Sequence, residues 1–235
     1  LRGTTLPVLT CWGRSYAIQN TGLPAAMISQ GEDVLADGGM RLEGKVNGET
    51  VGGDAETSPD ITLIPGKKFP ASFASYEMAS NECPVAGEDF ELEDTEGYAA
   101  EIDAVSKLGT VEVKFDGRLD YDGLYTIKLT FDADEPVTVD SATLTVPLNN
   151  DADLYRFSRA LDMQCLGAIP DGEGVLEESS NLPPHPALPG SFVPMIFVGD
   201  YDHGLFWMAE TDKGWSIDDN DEHALLVREN GQLLL

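Results

Sequence analysis

Hydrophobic and polar positions alternate with a period of two along much of this chain. The clearest case is residues 110–115, where Val111, Val113 and Phe115 oppose Glu112 and Lys114, as in a strand with one buried face. Residues 124–131 repeat the pattern, with Tyr125, Ile127, Leu129 and Phe131 on one side. Residues 116–123 between them form a polar connection of hairpin length, which predicts antiparallel pairing of the two strands. Residues 137–146 read as a third strand, and Pro147 is expected to end it because proline has no amide to give a central ladder. Asn47-Gly48 predicts a hairpin within the Gly-, Glu- and Thr-rich residues 38–59, and Asn230-Gly231 predicts another within residues 224–235.

One segment has helical spacing. In residues 152–166, Leu154, Phe157, Leu161 and Leu166 fall near one face, with Asp151 or Asp153 as cap. Residues 170–190, containing Asn181-Leu-Pro-Pro-His-Pro-Ala-Leu-Pro189, are too rich in proline for helix or interior strand and read as a rigid, polyproline-like crossover. Many short strands separated by Gly, Asp and Pro predict an all-β fold: a two-sheet antiparallel β-sandwich with long loops and at most one or two short helices. With no internal repeat or boundary in the pattern, residues 1–235 read as one module. The final three leucines are expected to form an exposed, unfinished edge, which predicts further residues in a parent protein.

Composition narrows the partners. The chain has 42 acidic and 14 basic residues, a formal charge of −28, so its field repels phosphate backbones and excludes nucleic acid as a partner. The acids are scattered through loops and polar strand faces, as in a heavily solvated or salt-adapted surface. No apolar run is long enough to span a bilayer. No signal peptide or lipidation motif is visible, and because the chain opens on Leu1 that observation carries no weight on localisation. Cys11, Cys83 and Cys165 have no metal-ligand spacing; they read as small apolar residues, with one disulfide as the alternative if the protein is exported.

The densest chemistry lies in residues 197–215. Phe197 and Val198 end one apolar strand, Asp200 to Gly204 supply a turn, and Leu205 to Ala209 begin the next strand. A sugar ring presents apolar C–H faces that stack on aromatic rings and hydroxyls that need polar partners, so Trp215 and Trp207 with Glu210 and Asp212 are candidate glycan-binding residues. Trp207, between Phe206 and Met208, also reads as core. Asp200, Asp202 and His203 crowd one turn as a conceivable metal cluster. Asp218, Asp219, Asp221 and Glu222 offer dense oxygen ligands of the kind calcium takes, or form a polar turn without the spacing of an EF-hand.

The run Gly199-Asp-Tyr-Asp-His-Gly-Leu205 followed by Trp207-Met-Ala-Glu-Thr-Asp-Lys-Gly-Trp215 resembles the signature of the N-terminal β-sandwich domain of proteins related to glycoside hydrolase family 123. Trp12-Gly-Arg-Ser-Tyr16 with Gly22-Leu-Pro24, Leu119-Asp-Tyr-Asp-Gly-Leu124 and Leu144-Thr-Val-Pro-Leu148 follow in the family's order. The resemblance implies an accessory sandwich preceding a (β/α)8 barrel that removes N-acetylgalactosamine with an adjacent Asp-Glu pair, secreted or periplasmic. A typical barrel of about 250 residues does not fit in this chain, so the expected partner is a C-terminal catalytic domain outside it.

Nothing in the sequence marks the chain itself as catalytic. Random order would give about seven adjacent acidic pairs, and the seven present, Asp134-Glu135 and Asp221-Glu222 among them, therefore carry no weight. There is no Gly-x-Ser-x-Gly, His-Glu-x-x-His or phosphate-loop motif, and His185, His203 and His223 are the only histidines. The expectation is a non-catalytic module that buttresses the barrel and edges its glycan cleft; the alternative is an autonomous carbohydrate-binding or adhesion module that uses Trp215 and calcium.

Overall fold

A computed structural model describes residues 6–65, 97–149, 154–160, 163–178, 195–209 and 225–235. Among these residues every regular element is a strand and every pairing is antiparallel. Backbone contacts divide the chain into two compact units, Leu1–Asp33 with Asp37–Thr145, and Val34–Ala36 with Val146–Leu235.

The first unit begins with β1 (Val8–Cys11), β2 (Arg14–Ile18), β3 (Pro24–Ser29) and β4 (Glu32–Asp33), a four-stranded meander in chain order. It continues with β5 (Arg41–Val46), β6 (Glu49–Asp54), β7 (Asp60–Pro65), β8 (Gly97–Leu108), β9 (Val111–Asp120), β10 (Tyr125–Asp132) and β11 (Val139–Thr145). These form one sheet in the order β10-β9-β8-β6-β5-β11, with β7 also on β8. The hairpin predicted at Asn47-Gly48 is the β5–β6 connection, and both turn residues have positive φ, 51° and 82°, the geometry whose twist matches paired strands.

Alternation in β8 and β9 builds the core. Ile102, Ala104 and Leu108 of β8 and Val111, Val113, Phe115 and Leu119 of β9 are buried, while the intervening charged side chains point out. The register sets large against small, with Phe115 opposite Ala104 and Gly117 opposite Ile102. The predicted antiparallel pairing of β9 with β10 is present, but residues 116–123 are not all connection. The period of two continues through Gly117 to Leu119, so the strand runs to Asp120 and the turn is confined to Tyr121–Leu124. Gly117 disguises the continuation because a residue without a side chain breaks the apolar pattern without breaking the pleat.

The Phe115 ring ties the meander to the larger sheet. A Cβ on Gly22 would lie 2.3 Å from its Cδ1, and one on Gly117 2.4 Å from its Cε1, so the ring occupies the space two side chains would fill. Gly22 also has φ of 85°, a conformation costly for any other residue. Over this contact the Tyr125 hydroxyl donates to the Gly22 carbonyl at 2.6 Å, and the Tyr16 hydroxyl donates to the Gly123 carbonyl at 2.9 Å. The two tyrosine rings meet edge to face, 6.1 Å between centroids.

In the second unit, β12 (Pro147–Leu148), β13 (Leu154–Ala160), β14 (Met163–Ala168), β15 (Gly174–Glu178), β16 (Met195–Gly199), β17 (Gly204–Met208), β18 (Leu225–Glu229) and β19 (Gln232–Leu234) make two four-stranded sheets, β12-β19-β18-β15 and β14-β13-β16-β17. The segment with helical spacing is the β13–β14 hairpin; its cap candidates lie outside the described residues. Tyr155 and Phe157 alternate with Arg156 and Ser158, so the sequence fits a period of two as well as a helical one. Pairing of β13 with β16 decides between them. Pro147 does follow the end of β11, but it opens a two-residue ladder with Leu233 and Leu234. The terminal leucines form no exposed edge: β19 lies between β12 and β18, and Leu233 is 0% exposed. Of residues 170–190, the first part contains β15, and the proline-rich stretch with His185 lies outside the described residues.

Two outcomes follow for stability. Gly22→Ala should destabilise the chain by about 2–4 kcal/mol in urea unfolding, since it adds both backbone strain and a collision with a buried ring. Burial pushes the Tyr16 phenol up to about 12 and raises that of Tyr125 as well. Unfolded tyrosines ionise near pH 10, roughly, so above that pH the unfolded chain loses protons the folded chain retains. The stabilisation is complete below about pH 10 and declines as pH rises toward about 12. Urea midpoints measured across this range should fall for the native chain and fall less steeply for Tyr16→Phe.

Candidate functional site

The β16–β17 hairpin is where the sequence places it. Phe197 and Val198 lie in β16, Leu205 and Trp207 in β17, and the register sets Ile196 opposite Trp207 and Val198 opposite Leu205. Ile196 and Val198 are buried, so Trp207, half-buried, shares the inward face, whereas Phe206 and Met208 are exposed on the other. Of the candidate glycan residues, Trp215, Glu210 and Asp212 lie outside the described residues, as do Asp218, Asp219, Asp221 and Glu222 proposed for calcium.

The turn between these strands is organised by Asp200. Its Oδ1 accepts the amides of Asp202 at 2.7 Å and His203 at 2.8 Å, and its Oδ2 lies 3.3 Å from His203 Nδ1. The bonds from the His203 and Asp202 amides hold the Asp200 carboxyl below its ordinary value. One oxygen is thus spent on the backbone, and among the described residues no group of three His, Cys, Asp or Glu is close enough to hold a metal. Asp200, Asp202 and His203 form a structured turn.

Sequence reading missed a second locus, at the end of the first unit. The β1–β2 turn carries Trp12, 68% exposed, and the β9–β10 turn carries Tyr121 and Leu124, 53% and 51% exposed. Arg14 Nη1 donates to the Asp122 carbonyl at 2.8 Å and joins the two turns. The Tyr121 amide donates to the Tyr98 carbonyl at 3.0 Å, and Arg118 lies over the Tyr98 ring at 5.6 Å. Cys11 beside them is a free, half-buried thiol whose pKa is raised by burial. The available signal was Trp12-Gly13 between two apolar runs, since a tryptophan at the tip of a two-residue turn has nowhere to be buried.

Two of the segments that carry the resemblance, residues 12–16 with 22–24 and residues 119–124, are therefore structural neighbours. Arg14 and Tyr16 of the first contact Asp122 and Gly123 of the next, and Gly22 accepts from Tyr125 just beyond it. No family model, curated protein or solved structure matches the chain in comparisons with known proteins.

Asp200→Ala should free the turn, read as faster amide exchange at Asp202 and His203 at neutral pH. In the native chain the protection of these two amides, the intrinsic exchange rate divided by the observed rate at the same pH, should fall on acidification below about pH 4, because a carboxyl with a lowered pKa stabilises when ionised and ceases to as protons bind.

Proposed function

We propose that this chain is a non-catalytic accessory module, an antiparallel β-sandwich, of a glycoside hydrolase related to family 123, and that it buttresses a catalytic barrel and edges its glycan cleft. The observation that carries the reading is the joining of the resemblance-bearing turns by Arg14, Tyr16 and Tyr125 across more than 100 residues of sequence. These residues serve the fold, and the motif they compose is a scaffold motif. An all-antiparallel architecture, in which the Phe115 ring links the four-stranded meander to the larger sheet, is compatible with a sandwich.

In this role the chain supplies rigid surface and leaves bond cleavage to the barrel. The isolated chain should release no nitrophenol from 4-nitrophenyl N-acetyl-β-galactosaminide, and a barrel expressed with the chain should melt at least about 5 °C above the barrel expressed alone. Hydrolysis by the chain, or equal melting of the two barrel forms, would overturn the proposal.

A further inference from the structure

We infer that Asn230 is a site of spontaneous covalent modification, deamidation through a succinimide, and that the fold withholds the same reaction from Asn47. The sequence holds two Asn-Gly pairs, at 47–48 and 230–231. Glycine has no side chain to shield its amide nitrogen, so both pairs carry the same intrinsic chemistry. Each forms the tip of a two-residue hairpin turn, closed by Val46 with Glu49 in β5–β6 and by Glu229 with Gln232 in β18–β19. Their backbones match, with φ of 51° and 82° at the first pair and 50° and 77° at the second, and both asparagines are exposed. Backbone shape and access to hydroxide therefore do not separate them. The bonds on the reacting atoms do. The Gly48 amide donates to Asp140 Oδ2 at 2.8 Å, the Thr138 amide donates to Asn47 Oδ1 at 3.1 Å, and the Asn47 amide donates to the Thr138 carbonyl at 2.9 Å. Thr138 thus grips the side chain and backbone of Asn47 together, and the Asp140 carboxylate opposes negative charge on the nitrogen it faces. Among the described residues no such bond reaches the Asn230 side chain or the Gly231 amide.

The reaction needs only water. Hydroxide takes the Gly231 amide proton, the nitrogen bonds to Asn230 Cγ, and the Cγ–Nδ2 bond breaks; the departing nitrogen takes a proton from solvent and leaves as ammonia. Water then opens either C–N bond of the five-membered imide, giving aspartate or isoaspartate. One water is consumed, one ammonia is released, and nothing is oxidised or reduced. Either product adds a carboxylate to a chain whose formal charge is already −28. Isoaspartate also routes the main chain through the former side-chain carbons, which lengthens by one carbon a turn whose length fixes strand register. The strand it displaces is β19, which carries the fully buried Leu233 and pairs with Leu148 and Pro147 of β12. A change at the exposed tip therefore loosens an interior strand of its sheet. This inference stands independently of the accessory role proposed above.

The test incubates the full chain in mildly alkaline buffer, with and without denaturing urea. Both pairs are followed by peptide mass spectrometry with electron-transfer fragmentation, which distinguishes isoaspartate from aspartate. In the folded chain Asn230 should convert at least about tenfold faster than Asn47, and in urea the two rates should come within about threefold of each other. Asp140→Ala should speed conversion at Asn47 by about threefold or more and leave Asn230 unchanged, and Asp140→Asn, which keeps an acceptor without the charge, should fall between. Because Asp140 is exposed, both variants should melt with the native chain. Amide exchange at Leu233 and Leu234 should quicken in the isoaspartate form and stay close to native in Asn230→Asp, which adds the charge alone. Equal rates at the two pairs in the folded chain, faster conversion at Asn47, a difference that persists undiminished in urea, or no effect of Asp140→Ala on Asn47 would each overturn the inference.

Discussion

The seating of the Phe115 ring on Gly22 and Gly117 is the contact on which the first unit depends. Aromatic burial supplies about 1.5–3 kcal/mol for such a side chain, but only when nothing else claims its volume. Two glycines leave that volume empty, one in the strand that bears the ring and one in the turn between β2 and β3. The carbonyl of Gly22 is then used by Tyr125, so the same backbone position gives room to one ring and a hydrogen-bond acceptor to the next. Meander and large sheet are fixed by shape and by directed bonds together, and the exposed turns that carry Trp12 and Tyr121 take their placement from this arrangement.

Electrostatics contributes differently. Pairs such as Lys114 with Glu112 at 3.5 Å and Lys128 with Asp116 at 3.6 Å lie on outward faces, where each is worth about 0–1 kcal/mol. With 14 bases against 42 acids, one-to-one pairing leaves 42 − 14 = 28 carboxylates to solvent and counterions. Mutual repulsion among these groups works against compactness, and it is screened over about 10 Å at 0.1 M salt. The core carries the fold against that load, and the charge governs which molecules can approach.

Much of this architecture was legible because its signals are local. Alternation at Val111, Val113 and Phe115 located β9, and Asn47-Gly48 and Asn230-Gly231 located two hairpins, since strand period and turn chemistry are properties of adjacent residues. Failures came where distant partners decide. Residues 154–160 satisfy a helical and a strand pattern equally, and only β16 on one side and β14 on the other select the strand. Leu233 looked exposed because its ladder partner, Leu148 of β12, is remote in sequence. For the candidate site, the hairpin around Asp200 could be read from turn residues, whereas the Trp12 locus required knowing that Arg14 meets Asp122.

Residues Val34–Ala36 belong with the second unit although they sit between strands of the first. The Leu35 backbone bridges to Leu148, the Ala36 amide donates to the Pro147 carbonyl at 3.0 Å, and the Asn149 amide donates to the Val34 carbonyl at 3.0 Å. The chain therefore crosses from one unit to the other before either is complete, and no single cut yields both intact. A gene fusion or exon transfer breaking after Thr145 would carry away a second unit stripped of this tripeptide. Neither unit is in consequence one continuous stretch of chain that a single excision would deliver whole.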